Sequence, residues 1–192
     1  METRDGVGTG VRRSFVGVAE TPAEYVILRP KVYLDTSIPS VLTSRPSLDP
    51  RKAEWQRITQ EWWELYRWQF DVYYSEYVEK EVLKGDPHAA EQRFNTLRPF
   101  TKLDKLIAAE DFAVRILSAC HLPAKAKTDA THVALAAMRS LQYLLTWNCT
   151  HLANEHVQPK IRYICRKEGY TAPVILTPHE AIRLRTHEIP NS

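Results

Sequence analysis

The stretch Lys31-Val32-Tyr33-Leu34-Asp35-Thr36-Ser37-Ile38-Pro39 decides how this chain is read. Val32-Tyr33-Leu34 is a short run of apolar, β-forming residues. Asp-Thr-Ser and then Pro end it abruptly, the pattern of a buried strand stopping at a polar turn. In open parallel α/β sheets, ligands bind beyond the carboxyl ends of the strands. Asp35 is therefore delivered to a place where a metal or a phosphate-bearing substrate would sit. A lone strand-end acid is as often a turn former as a ligand. Its meaning comes from three later polar positions, Glu81, Asp129 and Asn148.

Outward from that stretch, Asp49-Pro50 marks a helix start, with Trp55, Ile58, Trp62, Leu65 and Tyr66 following at helical spacing. Phe70–Tyr74 reads as a second strand. Ser75 caps the next helix, which carries Glu76, Glu79 and Glu81 and stops at Gly85-Asp86-Pro87. A short helix over about His88–Leu97 leads to a third strand at Pro99–Leu103. Asp104 is expected to open a helix whose apolar face is Leu106, Ile107, Phe112, Ile116 and Leu117. After Pro123, Thr128 is the expected N-cap of a helix running to about Ser140, with one stripe of Ala130, Val133, Ala134, Ala137 and Met138. Tyr143–Thr146 and Val174–Thr177 read as the fourth and fifth strands, with a helix at about Glu155–Glu168 between them. Strands alternating with helices imply an α/β protein with a mostly parallel central sheet covered on both faces.

Size and composition agree. A chain of 192 residues with 44% hydrophobic and 26% charged residues suits one globular domain. The net charge of +3 permits nucleic-acid binding without arguing for it. Cys120, Cys149 and Cys165 form no CxxC pair; they suit a reducing cytoplasm and are expected as small core residues. No run approaches the ~18 apolar residues of a membrane helix. Residues 1–30 read as a poorly ordered N-terminal extension, 31–181 as the folded domain and 182–192 as a C-terminal tail.

Each of the four polar residues has a sensible station in that order. Asp35 ends the first strand, Glu81 lies on the helix after the second, Asp129 sits in the first turn of its helix, and Asn148 follows the fourth strand. Side by side, these strands bring the four toward one edge of the sheet. Like-charged carboxylates ~4 Å apart at an effective dielectric of ~20 repel by about 4 kcal/mol per pair, which calls for a cation. An all-oxygen donor set suits Mg²⁺ or Mn²⁺ rather than Zn²⁺. The chemistry of such a site is phosphodiester hydrolysis.

In that order the residues resemble the PIN-domain family, and within it the VapC-like toxin ribonucleases. The resemblance rests on VYLDTSIP at the first acid and on YYSEYVEKEVLKGDP, with Ser75 six residues before Glu81. It rests also on AKTDATHVALAA at Asp129 and on YLLTWNCTHLAN at Asn148, and it spans roughly Lys31 to Ala181. It implies a three-layer α/β/α fold and a metal-dependent endoribonuclease, the toxin of a toxin–antitoxin pair. Asp35, Glu81, Asp129 and Asn148 would be the catalytic metal-binding set, and Ser37 and Thr146 hydroxyls that orient it. RNA would be the substrate and an antitoxin the partner; a homodimer is left open, and no membrane is involved. Asn148 departs from the family, where many relatives carry Asp, and so brings one negative charge fewer. That leaves an alternative: a PIN-like module that binds RNA or protein without cutting.

Rival phosphate chemistries fit worse. A haloacid-dehalogenase pattern needs a second Asp where Ser37 stands, and no Gly-Lys-Ser/Thr turn of a P-loop exists. No nucleophile elbow supports a Ser-His-Asp triad. His132 and His151 read as packed or surface residues near the site. Trp55 and Trp62 read as core or partner-facing, and Trp147 as the better base-stacking candidate. Lys125, Lys127, Lys160, Arg162, Arg166 and Lys167 are candidate phosphate contacts or plain solvated charge.

Overall fold

A computed structural model describes residues 28–188. The expected N-terminal extension lies outside the described residues except for its last three, and so do residues 189–192.

Five short strands form one parallel sheet: β1 (Lys31–Leu34), β2 (Asp71–Ser75), β3 (Thr101–Leu103), β4 (Tyr143–Leu145) and β5 (Val174–Leu176), in the order β3-β2-β1-β4-β5. Val32, Tyr33 and Leu34 of central β1 are all buried, as expected of a strand covered on both faces. The helices are α1 (Ser37–Leu42), α2 (Pro50–Glu61), α3 (Glu76–Val82), α4 (Pro87–Leu97), α5 (Ile107–Cys120), α6 (Lys127–Met138), α7 (Gln158–Lys167) and α8 (Pro178–Glu188). α5, α6 and α7 pack together as one layer; α1, α2 and α8 form the other, with α4 against α1 and α3. The expected three-layer α/β/α architecture is the one observed.

The chain works outward from β1 through β2 to β3, then returns to β4 on β1's other side. The order reverses between β1 and β4, and at such a switch point the strand ends leave a crevice. The ladder carries one residue past each strand there. Asp35 N donates to Leu145 O at 3.2 Å, and Thr146 N to Leu176 O at 2.9 Å.

Several local expectations hold for the stated reason. Asp49 caps α2 by accepting from Arg51 N and Lys52 N at 2.9 and 3.3 Å, with Pro50 first in the helix. Ser75 caps α3 through Val78 N at 3.4 Å.

Others are corrected. The polar turn after β1 winds at once into α1, which no periodicity announced. Asp104 does not open α5: Leu106 stands at the N-cap without a side-chain bond, and Ile107, assigned to the apolar face, is 73% exposed. Thr128 is not a cap, because a 3-10 turn at Ala124–Ala126 already feeds α6. α6 buries every residue from Ala130 to Ala137 rather than one stripe, since its alanines let it lie close against α5. α2 ends at Glu61 in a π-helical turn, Trp62–Tyr66, which rotates Leu65 outward to 57% exposure while Trp62 is fully buried. α8 runs across the boundary expected at residue 181, and Cys149 is exposed, unlike buried Cys120 and Cys165. No helix among the described residues is long and apolar enough to cross a membrane.

Candidate active site

Asp35 is the anchor of the switch-point crevice and is only 4% exposed. Its Oδ1 accepts the backbone N–H of Ser37 at 2.8 Å and the Ser37 hydroxyl; its Oδ2 accepts the Thr146 hydroxyl at 2.5 Å. The two hydroxyls are themselves held: Ser37 Oγ accepts from Trp147 N at 2.7 Å and Thr146 Oγ1 from Asn148 N at 2.8 Å. The segment after β4 is thus laced to the turn after β1, and Asp35 cannot rotate without breaking both. Burial pushes the Asp35 carboxyl above the usual range, against the opposing pull of His132 and the two hydroxyls.

Glu81 reaches the same crevice from α3. Its Oε2 accepts the Thr36 hydroxyl at 2.5 Å and lies 3.3 Å from His132 Nε2. Burial alone would raise its pKa, but His132 and Thr36 outweigh burial and hold it below the usual value. His132, on α6, is 1% exposed; its Nδ1 lies 2.8 Å from the Tyr33 hydroxyl, which lies 2.6 Å from Ser75 Oγ. His132 thus bridges Tyr33 and Glu81, with Ser75 beyond Tyr33, in one continuous run of bonds. Burial raises the Tyr33 pKa, so its hydroxyl keeps its proton.

Asp129 enters from the first turn of α6, and its Oδ2 lies 2.9 Å from His151 Nδ1. His151 N in turn donates to Asn148 Oδ1 at 3.0 Å. Asn148 therefore closes the turn after β4 while standing beside the Asp129–His151 pair.

Five of the six expected residues, Asp35, Ser37, Asp129, Thr146 and Asn148, belong to one hydrogen-bonded system, and Glu81 belongs to a second that adjoins it. Ser37 and Thr146 touch Asp35 directly, and Asp129 joins through His151 and Asn148; Glu81 is bonded to Thr36, the next residue in the chain after Asp35. Sequence reasoning undervalued the two histidines and missed Thr36, Tyr33 and Ser75 as members. A signal was present: His132 follows Asp129 by one helical turn, and Ser75 ends the strand beside Tyr33. Trp147 is corrected. It is buried, and not free to stack on a base.

The donor chemistry, carboxylate oxygens with an amide oxygen and hydroxyls behind them, suits a hard divalent cation. Among the described residues no three His, Cys, Asp or Glu side chains are gathered tightly around one point, and Glu81 and Asp129 engage histidine instead.

A crystal structure of VapC20 from Mycobacterium tuberculosis, a toxin that cleaves the sarcin–ricin loop, matches this fold. The TM-score is 0.50 at 16% sequence identity, over 62% of this chain and 92% of that one. The fold is PIN-like. No family model matches the sequence, and no curated protein matches it. A likeness at that identity carries the PIN-like architecture and not the activity, which must be argued from the residues above.

Thr146→Val separates the roles in this PIN-like crevice. Removing the hydroxyl leaves Asp35 Oδ2 short of a donor and Asn148 N without its acceptor. The expected cost is about 1–3 kcal/mol of stability, and any divalent ion the crevice holds should bind ~10–100-fold more weakly. Thr146→Ser should restore most of both. Melting curves in chelator and a Mn²⁺ titration check it.

Proposed function

We propose that this chain is a metal-dependent endoribonuclease that hydrolyses RNA phosphodiester bonds, acting as the toxin of a toxin–antitoxin pair restrained by its antitoxin. The observation that carries the reading is the buried Asp35 carboxylate, braced through Ser37 and Thr146 at the switch point of a PIN-like sheet. A protein seldom keeps a desolvated carboxylate at the switch point of its sheet without a use for it. Mg²⁺ or Mn²⁺ held by Asp35, Glu81, Asp129 and the Asn148 amide oxygen would supply an activated water and neutralise charge on the phosphoryl oxygens. The chain's own part is positioning. Ser37 and Thr146 fix Asp35; Thr36 and His132 fix Glu81; His151 fixes Asp129. The VapC20 neighbour, a toxin that cleaves the sarcin–ricin loop, supports RNA as the substrate class.

One observation favours a second reading. Asn148 Oδ1 is already engaged by His151 N, and Asn supplies no charge, so a weakened site that binds RNA without cutting is the alternative.

Purified protein incubated with RNA in millimolar Mn²⁺ and in chelator decides between them. Cleavage in Mn²⁺ alone supports the enzyme; RNA retained intact in a complex supports the binding module. Asn148→Asp sharpens the comparison. The added carboxylate should raise divalent affinity and the melting temperature in Mn²⁺, and lower the melting temperature in chelator, where it only repels Asp129 and Asp35. An equal shift under both conditions would confine Asn148 to shaping its turn.

A further inference from the structure

The wall of the crevice continues into a cleft that the reaction itself does not use. Trp147, next to Asn148, is clamped by its backbone bond to Ser37 and by its indole Nε1, which donates to Thr59 Oγ1 of α2 at 2.8 Å. Its ring stacks on Trp55, with centroids 5.0 Å apart and planes 14° from parallel. Trp55 is only half-buried, and it lines a cleft of about 530 Å³ between α1 and α2, together with Val41, Arg45, Pro46, Leu48 and Lys52. That is within the ~300–1,000 Å³ of ordinary ligand sites.

The cleft's wall is pre-shaped. The Gln56 side chain accepts from Ser47 N at 3.0 Å and donates to Arg45 O at 2.8 Å, pinning the loop between α1 and α2. The Ser40 and Ser44 hydroxyls are spent on the carbonyls of Thr36 and Val41 at 2.7 and 2.8 Å. What remains is an aromatic and aliphatic slot with two cations at its rim. Among the described residues neither Arg45 nor Lys52 has an ion-pair partner.

We propose that this cleft takes one unpaired base of the RNA strand beside the cleaved phosphodiester, stacked against Trp55, with Arg45 and Lys52 on the neighbouring phosphates. Stacking on an aromatic side chain accepts any base, and cations on phosphates set register without reading sequence. An apolar peptide side chain would also fill the slot, but it would leave both cations unmatched. Through Trp147 and Ser37 the slot is joined to Asp35, so a base seated there would fix which phosphodiester faces the carboxylates. The inference rests on the ribonuclease reading and adds to it a strand-positioning subsite.

The test is binding of labelled short single-stranded RNA to the full chain in chelator, where no cutting occurs. Trp55→Leu should weaken binding about 5- to 150-fold, while Trp55→Phe keeps most of it. Arg45→Ala with Lys52→Ala, both exposed and away from the core, should flatten the dependence of log affinity on log salt by about 1.4. Removing one base from the oligonucleotide should reproduce the Trp55→Leu loss in the wild type and add little in that variant. Unchanged affinity and salt dependence in the variants would overturn the subsite and leave RNA binding intact. Variants that retain RNA binding but lose a co-expressed protein partner would make the cleft a protein-docking site and also overturn it. A wild type that neither binds nor cuts RNA would instead remove the ribonuclease reading beneath it.

Discussion

Replacing Asp35 by Asn should end RNA cleavage and yet leave the metal-free protein at least as stable as the parent at neutral pH. The carboxylate is buried, and burial holds its pKa above the usual value despite the hydroxyls of Ser37 and Thr146. A carboxyl raised in this way binds its proton more tightly folded than unfolded. Its contribution therefore favours folding at pH values below the unfolded pKa and is lost as the pH rises through the folded one. Above that point the metal-free fold holds an unfavourable buried charge, which Asn removes with little change of shape. In chelator, the advantage of Asp35→Asn should be widest near neutrality and close as the pH falls below ~4. Glu81 acts oppositely: its lowered pKa adds stability above the usual carboxylate range, lost as the pH falls through the folded value. In Mn²⁺ the ranking should reverse, because only the parent gains full stability from a bound ion. Differential scanning fluorimetry across pH, beside an RNA-cleavage gel, checks both halves. A variant that still cuts, or one that melts well below the parent in chelator at neutral pH, would show that Asp35 is a structural residue.

Trp62→Ala should be the costliest single change in the core. Trp62 is fully buried where the π-helical turn leaves α2, against Trp63 and Phe70 at centroid distances of 6.3 and 5.9 Å. Truncation to Ala at such a site costs about 3–5 kcal/mol, roughly 6–20 °C in melting temperature for a chain of this size. Because α2 also carries Thr59 and Trp55, which hold Trp147, the variant should lose RNA affinity before it unfolds. Trp62→Phe is the control. Among the described residues the Trp62 indole Nε1 is buried without an acceptor, and Phe deletes that donor while keeping an aromatic ring, so a change under ~1.5 kcal/mol is expected. A Trp62→Ala protein melting within a few degrees of the parent would show the turn to be loosely packed.

The sheet was legible because short apolar runs stopping at polar turns leave few other readings, and all five strands lie within two residues of their expected places. Asp49 and Ser75 were legible as caps because a side-chain oxygen before a helix has one common use. Thr128 and Asp104 misled for the same reason: each has a capping side chain, and tertiary packing started the helix elsewhere. The acids were legible as a set through their order, but their partners were not. That His132 bonds Glu81 follows from β1 and β2 lying adjacent beneath α6, a juxtaposition no local pattern encodes. Trp147 lost its expected role because the aromatic ring of Trp55 already covers it.

The bond between Thr146 and Asp35 joins residues 111 positions apart. During synthesis Asp35 emerges early with only Ser37 to brace it, and the Thr146 hydroxyl arrives once β4 has left the ribosome and slid in beside β1. Every shorter nascent chain therefore carries the acid without its full clamp. Under the ribonuclease reading proposed above, a nascent chain would thereby stay harmless to its own message until β4 has been made.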